Sequence, residues 1–200
     1  MKDLYKLGQK HGRQVAEFIG KLATESERAA VVLGVARLNN ALEKYLKSIL
    51  KPNQEGSDPL FDMERPLGIF SSKINLAYRI GIIDEDFEHA LHMIRKIRNE
   101  FAHSVETESL SERRHSDRLK ESIKAAKKSN LWKSIQAKLP SDTIDTEQFM
   151  NFCILIALLI TIIEVMSELS TRIKLNILAT FDSNQFKAIL NDYKKSEEAP

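Results

Sequence analysis

Along most of this 200-residue chain, apolar residues return every three to four positions, the period of helices that bury one face. Leu4, Leu7, Val15, Phe18, Ile19 and Leu22 predict a first helix ending near Leu22, whose opening half Gly8 and Gly12 weaken. Thr24 stands three residues before Glu27, the capping-box spacing. From there Ala29, Val32, Leu33, Ala36, Leu42, Tyr45, Leu46 and Ile49 predict a long second helix to about Leu50. Lys51 to Arg65 collects Pro52, Gly56, Ser57, Asp58 and Pro59, the composition of a surface loop, with Phe61 and Met63 pinning its far end to the core. Pro66 suits the first position of a short helix through Phe70, Ile74, Ala77 and Ile80, and Gly81 suits its stop. Asp84 caps the next helix, with Glu85 and Asp86 in its first turn, and the short link through Ile82 and Ile83 makes the pair an antiparallel hairpin.

That helix ends in Leu91 to Ser104, LHMIRKIRNEFAHS, the stretch around which the chain is organised. Leu91, Ile94, Ile97 and Phe101 form its apolar stripe, leaving Arg95, Arg98, Asn99 and His103 as candidate binding residues. Arg98 and His103 stand roughly 140° apart around a helix, so they share a site only where the helix ends or a second helix faces both. Asn99 and His103, four residues apart, lie one above the other. An arginine beside an imidazole can hold a phosphate and move a proton. The alternative is a helix C-terminus, where Arg and a protonated His suit the macrodipole and Asn bonds locally.

After Ser104 the pattern turns basic. Ser111 to Lys138 holds nine Lys or Arg against Glu112, Asp117 and Glu121, a net of +6 in a chain of formal charge +2. Helical phasing places Arg114, Arg118, Glu121, Lys124 and Lys128 near one face, so Arg113, Arg114, Arg118, Lys124 and Lys128 are a candidate nucleic-acid patch, with a solvated helix face as the alternative. Trp132, with Leu131 and Ile135, is expected to dock this basic arm onto the bundle. Pro140 to Asp142 marks a turn, and Asp145 or Thr146 caps the last helix. Phe149 to Met166 is the most apolar stretch, but Asn151, Thr161 and Glu164 interrupt it, which predicts a central buried helix and no membrane span. Its continuation through Leu169, Ile173 and Ile177 invites dimerisation.

Composition supports the same architecture. The chain is 42% hydrophobic with only seven glycines and five prolines, so we expect one all-α domain over 1–200: a bundle of six to eight helices without β-sheet, with an N-terminal helix over 1–23, a basic arm over 105–140 and a tail over 191–200. Near-balanced overall charge argues against a surface built throughout to grip nucleic acid. Cys153 is the single cysteine, which excludes an internal disulfide and a cysteine-based metal site and agrees with a cytoplasmic location. The polar N-terminus lacks a secretory h-region. No Gly-rich phosphate loop, HExxH, calcium loop or GxSxG elbow occurs, and His89 and His92 lack an evident third ligand, so no cofactor and no metal is expected.

The run RPLGIFSSKINLAYRIGIID followed by MIRKIRNEFAHS resembles the core signature of the mannitol repressor family, small all-helical bacterial proteins. The match is densest from Pro66 to Ser104 and extends over Glu27 to Leu50. The resemblance implies a transcriptional repressor of a mannitol or sugar-alcohol utilisation operon; we expect a homodimer and no enzyme, acting through a protein partner or through the basic arm. No helix-turn-helix is evident, and the acidic start at Asp84 to Asp86 would repel a phosphate backbone. Arg98 to His103 also resembles the Arg-x4-His motif of the HEPN superfamily. That resemblance implies an alternative, an RNA-processing or nucleotide-binding domain in which Arg98 stabilises phosphate charge, His103 acts as general acid or base and Asn99 orients them, without metal.

Overall fold

A computed structural model describes residues 2–53, 58–104, 108–137 and 146–170, with side chains from Lys10 onward. Among these residues are seven α-helices, α1 (Lys2–Leu22), α2 (Glu27–Ile49), α3 (Phe70–Arg79), α4 (Glu85–His103), α5 (Arg113–Ala126), α6 (Asn130–Gln136) and α7 (Glu147–Ser170), and one 3-10 turn at Pro59–Phe61. No strand occurs among the described residues. The fold is an all-α bundle.

The apolar content of α7 explains its place. From Phe152 to Ile160 every side chain is buried, and a helix apolar all round needs neighbours on every side. It packs on α2, α1, α5 and α6. Among the described residues α7 is the helix long and apolar enough to cross a bilayer, yet most of that window lies inside the bundle. On the far side of α2 and α5 lies α4, which also carries α3, so α2 and α5 form a middle layer between α7 and α4.

Several predicted ends are where the residues indicated. Asp84 accepts a hydrogen bond from the Phe87 amide at 2.9 Å, and Thr146 caps α7 through the Phe149 amide at 3.1 Å. Gly81 takes a φ of +75°, and beyond it the Ile82 amide returns to the Ala77 carbonyl at 3.0 Å, a Schellman closure.

Others moved. Ser26 caps α2 through the Ala29 amide, whereas the Thr24 hydroxyl donates back to the Lys21 carbonyl. Helix α3 begins at Phe70, not Pro66, because Gly68 first folds so close to the Asp62 and Met63 backbone that a Cβ there would collide with both. Phe61 is buried as expected, but Met63 is 88% exposed and anchors nothing. In the first half of α2 the buried face is Ala30, Val31, Gly34, Val35 and Leu38; Leu33 is half-exposed and Ala36 faces solvent. Gly34 explains the rotation, since its bare backbone faces Leu22 and Ile156. The predicted continuation of the last helix past Ser170 and the tail over 191–200 lie outside the described residues.

Candidate functional site

Helix α4 presents its site because its other side is spent on the core. Ala90, Leu91, Ile94, Ile97 and Phe101 are all buried, which turns the polar residues between them outward. Arg95 and Arg98 are half-buried, Asn99 likewise, and His103 is exposed in the last turn. Arg98 Nη1 donates to Asn99 Oδ1 at 3.2 Å, so these two are held together. His103 bonds to neither. The Arg95 Nε is buried and makes no hydrogen bond.

The end of α4 gathers positive charge. The Ser104 amide closes the helix on the Glu100 carbonyl at 2.9 Å, and Arg28 Nη2, from the first turn of α2, donates to the Ser104 carbonyl at 2.7 Å. A guanidinium at a helix C-terminus satisfies carbonyls and complements the macrodipole. Arg28 and His103 thus both sit at the C-terminal end of α4, while Arg98 lies more than a turn back on another side of the helix.

Close by, the α4–α5 junction holds a charge cluster that sequence reasoning missed. His115 is fully buried, its ring tilted against Phe101 with centroids 5.0 Å apart, and its Nε2 lies 2.7 Å from Glu108 Oε2. Arg114 Nη2 donates to both Glu108 oxygens, at 2.6 and 2.5 Å. The imidazole first, then the Arg114 guanidinium, hold the Glu108 carboxyl down to about 2 against the opposing effect of burial. Glu108 in turn raises the Arg114 guanidinium. Arg118 Nη1 donates to Glu100 Oε1 at 2.5 Å. Glu100 Oε2 and His115 Nδ1, 3.6 Å apart, are buried without a hydrogen bond.

This cluster corrects the candidate nucleic-acid patch. Arg114 is exposed and Arg118 half-buried, but their guanidinium groups are committed to Glu108 and Glu100, so neither adds a free charge to the patch expected with Arg113, Lys124 and Lys128. The physical reason is that α5 packs on α4, bringing Glu100 within reach of residues whose own helix offered them no partner on that side. Arg113, Lys124 and Lys128 remain exposed. Trp132 docks α6 as expected, 3% exposed.

Glu108, Glu112 and His115 place potential ligand atoms within 4.8 Å of one another, the one such group found among the described residues. The Arg114 guanidinium already lies among these carboxylates, with Nε 3.4 Å from Glu112, and supplies the positive charge a metal would bring. The Glu112–His115 spacing of one helical turn was the available sequence signal; Glu108 carried none. His89 and His92 do not converge, since His92 bonds to Asn75 at 3.1 Å and to Glu88 at 3.2 Å while His89 Nε2 is buried and unbonded. Burial, with Arg95 nearby, lowers the His92 pKa against the opposing Glu88.

A second buried cluster joins α2 and α3. Lys73 is 1% exposed and donates to Glu43 Oε2 at 2.7 Å and Asn39 Oδ1 at 3.0 Å. A third ties α1 to α7, where His11 bridges Glu164 at 3.1 Å and Glu168 at 2.9 Å. Both fasten helices to one another.

Comparison of the chain with protein-family models, with curated proteins and with solved structures found no match.

Proposed function

We propose that this chain is a transcriptional regulator, a repressor of a mannitol or sugar-alcohol utilisation operon of the type that Pro66 to Ser104 resembles, working through a protein partner and not through a groove-reading helix. The observation that carries the partner mode is the polarity of the α3–α4 hairpin. Its second helix leads with Glu85, Asp86 and Glu88, and carboxylates at that end oppose a phosphate backbone. The Arg95, Arg98, Asn99 and His103 surface is then a partner-docking site, in a homodimer that offers it twice. The test pairs two assays on the full chain. Pull-down from nuclease-treated lysate recovers a defined protein and loses it when Arg98 and His103 are both changed to Ala, and the purified chain alone binds its operator no better than unrelated DNA at physiological salt. Strong operator preference by the chain alone overturns the partner mode.

A second reading is supported by the Arg98–Asn99 hydrogen bond beside a solvent-facing His103. In it the two protomers of a dimer bring Arg98 and His103 onto one RNA phosphate, with His103 moving the 2′-hydroxyl proton. This reading predicts metal-independent RNA cleavage that His103→Ala abolishes with an unchanged circular dichroism spectrum. Equal cleavage by the mutant removes it.

A further inference from the structure

The outer face of α5 carries a row of cations that differs from the one the sequence phasing picked out. Taking Arg113 as origin and 100° per residue, Asp117, Lys120, Lys124, Lys127 and Lys128 all fall within roughly 60° of it, and all six are exposed. Lys127 caps the helix in right-handed conformation, so the row runs on through the turn. The buried residues His115, Ser116, Leu119, Ser122 and Ile123 centre roughly 120° round the helix from this row, so it borders the core on one flank. Arg114 and Arg118 sit on the flank turned to α4. The exposed row is therefore the predicted stripe rotated by roughly 70°.

This row is a lean electrostatic surface. It has five cations and one anion, and Asp117 reaches only Arg113 and Lys120, each at 3.8 Å. Lys124 and Lys128 make no ion pair among the described residues. From Arg113 to Lys127 the row is about 21 Å long, and B-DNA presents one phosphate for about every 1.7 Å of its axis, so a duplex laid along it offers more phosphates than there are cations.

We infer that the Arg113–Lys128 face of α5 is a sequence-independent docking surface for the phosphate backbone of duplex DNA. Two observations select this occupant. A single strand needs exposed aromatic faces on which bases stack, and Trp132, the aromatic beside the row, is buried with Lys127 Nζ 6.0 Å over its ring. A bilayer surface is held firmly where apolar side chains insert beside the cations, and the apolar residues of α5 are spent on the core. A rigid row of point charges with neither feature matches a stiff polyanion. The inference is independent of the regulatory reading, which stands or falls on the lysate partner.

The test is fluorescence anisotropy of the full chain with a labelled duplex of about 20 base pairs, titrated with salt. Five neutralised phosphates give a log–log salt slope of about −4.5, so affinity falls about 500-fold from about 50 to about 200 mM salt. The variant Lys120→Gln/Lys124→Gln/Lys128→Gln flattens the slope to about −2. Lys44→Gln/Lys51→Gln/Arg65→Gln, which removes the same charge from exposed positions elsewhere, leaves the slope unchanged. Equal slopes for the two triple variants overturn the assignment, as does tighter binding to single-stranded DNA or to phosphatidylserine vesicles than to the duplex.

Discussion

Glu108 couples the end of α4 to the start of α5 through charge, and its acidity sets when that coupling fails. The folded carboxyl is held at about 2 against an ordinary 4.5 by His115 and Arg114. A carboxyl depressed in the folded state contributes stability that is fully present above its unfolded value and disappears as pH falls through its folded one. Thermal melting should therefore show an acid limb between about pH 4.5 and about pH 2, and Glu108→Gln should flatten it. At neutral pH the same change should lower stability by about 1–3 kcal/mol, since His115 and Arg114 then face an amide. Lys73 makes the opposite case. Its ammonium is buried with Glu43 and Asn39, but losing it strands no carboxylate, because Glu43 is partly exposed and keeps Lys47 at 2.7 Å. Lys73→Met should stay within about 1 kcal/mol of the parent in urea denaturation, whereas Glu43→Ala, which strands that ammonium, should cost about 3 kcal/mol. A larger loss for Lys73→Met than for Glu43→Ala would refute this asymmetry. Lys73 was legible in principle, because it falls on the apolar face with Phe70, Ile74 and Ala77. Glu108 was not, for its partners are fixed by a turn and by the packing of α5 on α4.

At the scale of the helices, the sequence spoke most clearly where one residue's backbone chemistry decides an end. Gly81, Asp84 and Thr146 are such residues, and each sits at the boundary it predicted. Where two neighbouring residues offer the same chemistry, as with Thr24 and Ser26, the sequence leaves the choice open, and at Pro66 the close approach of Gly68 to the Asp62 and Met63 backbone delays the helix to Phe70. The glycines test this distinction. At Gly81 a side chain meets nothing within 4 Å, so Gly81→Ala should cost only the left-handed backbone penalty, about 1–2 kcal/mol. Gly68→Ala forces backbone apart at Asp62 and Met63 and should cost about 1–3 kcal/mol. Gly34→Ala should go the other way. Its Cβ would rest 3.4 Å from Leu22 and 3.5 Å from Ile156, ordinary contact distances, so the gain in helix propensity of about 0.5–1 kcal/mol survives. Guanidinium denaturation of the three variants checks both sign and order; destabilisation by Gly34→Ala would mean that α2 and α7 have no room to give.

For the whole molecule, helical periodicity announced the architecture, since an apolar run that polar residues interrupt can be satisfied by a ring of amphipathic helices. Which helices close that ring was invisible, because α1 and α2 reach α7 from the other end of the chain and α5 skips past α6 to do so. Cys153 lies at the centre of this arrangement and reports on it. Its side chain is fully buried, and burial pushes the thiol up to about 12, so the reactive thiolate is scarce while the bundle is closed. No single neighbour moving aside uncovers a residue ringed by the core, so labelling by a disulfide reagent should require global opening. Phe152→Ala, which removes a buried ring beside it at about 3–5 kcal/mol, should then speed labelling by the factor its equilibrium destabilisation dictates, about tenfold for each 1.4 kcal/mol. Gly34→Ala should slow it by the same rule. A labelling rate indifferent to both would mean that α7 opens locally, and the bundle would then be two cooperative units, with the α4 site carried by the one that stays folded.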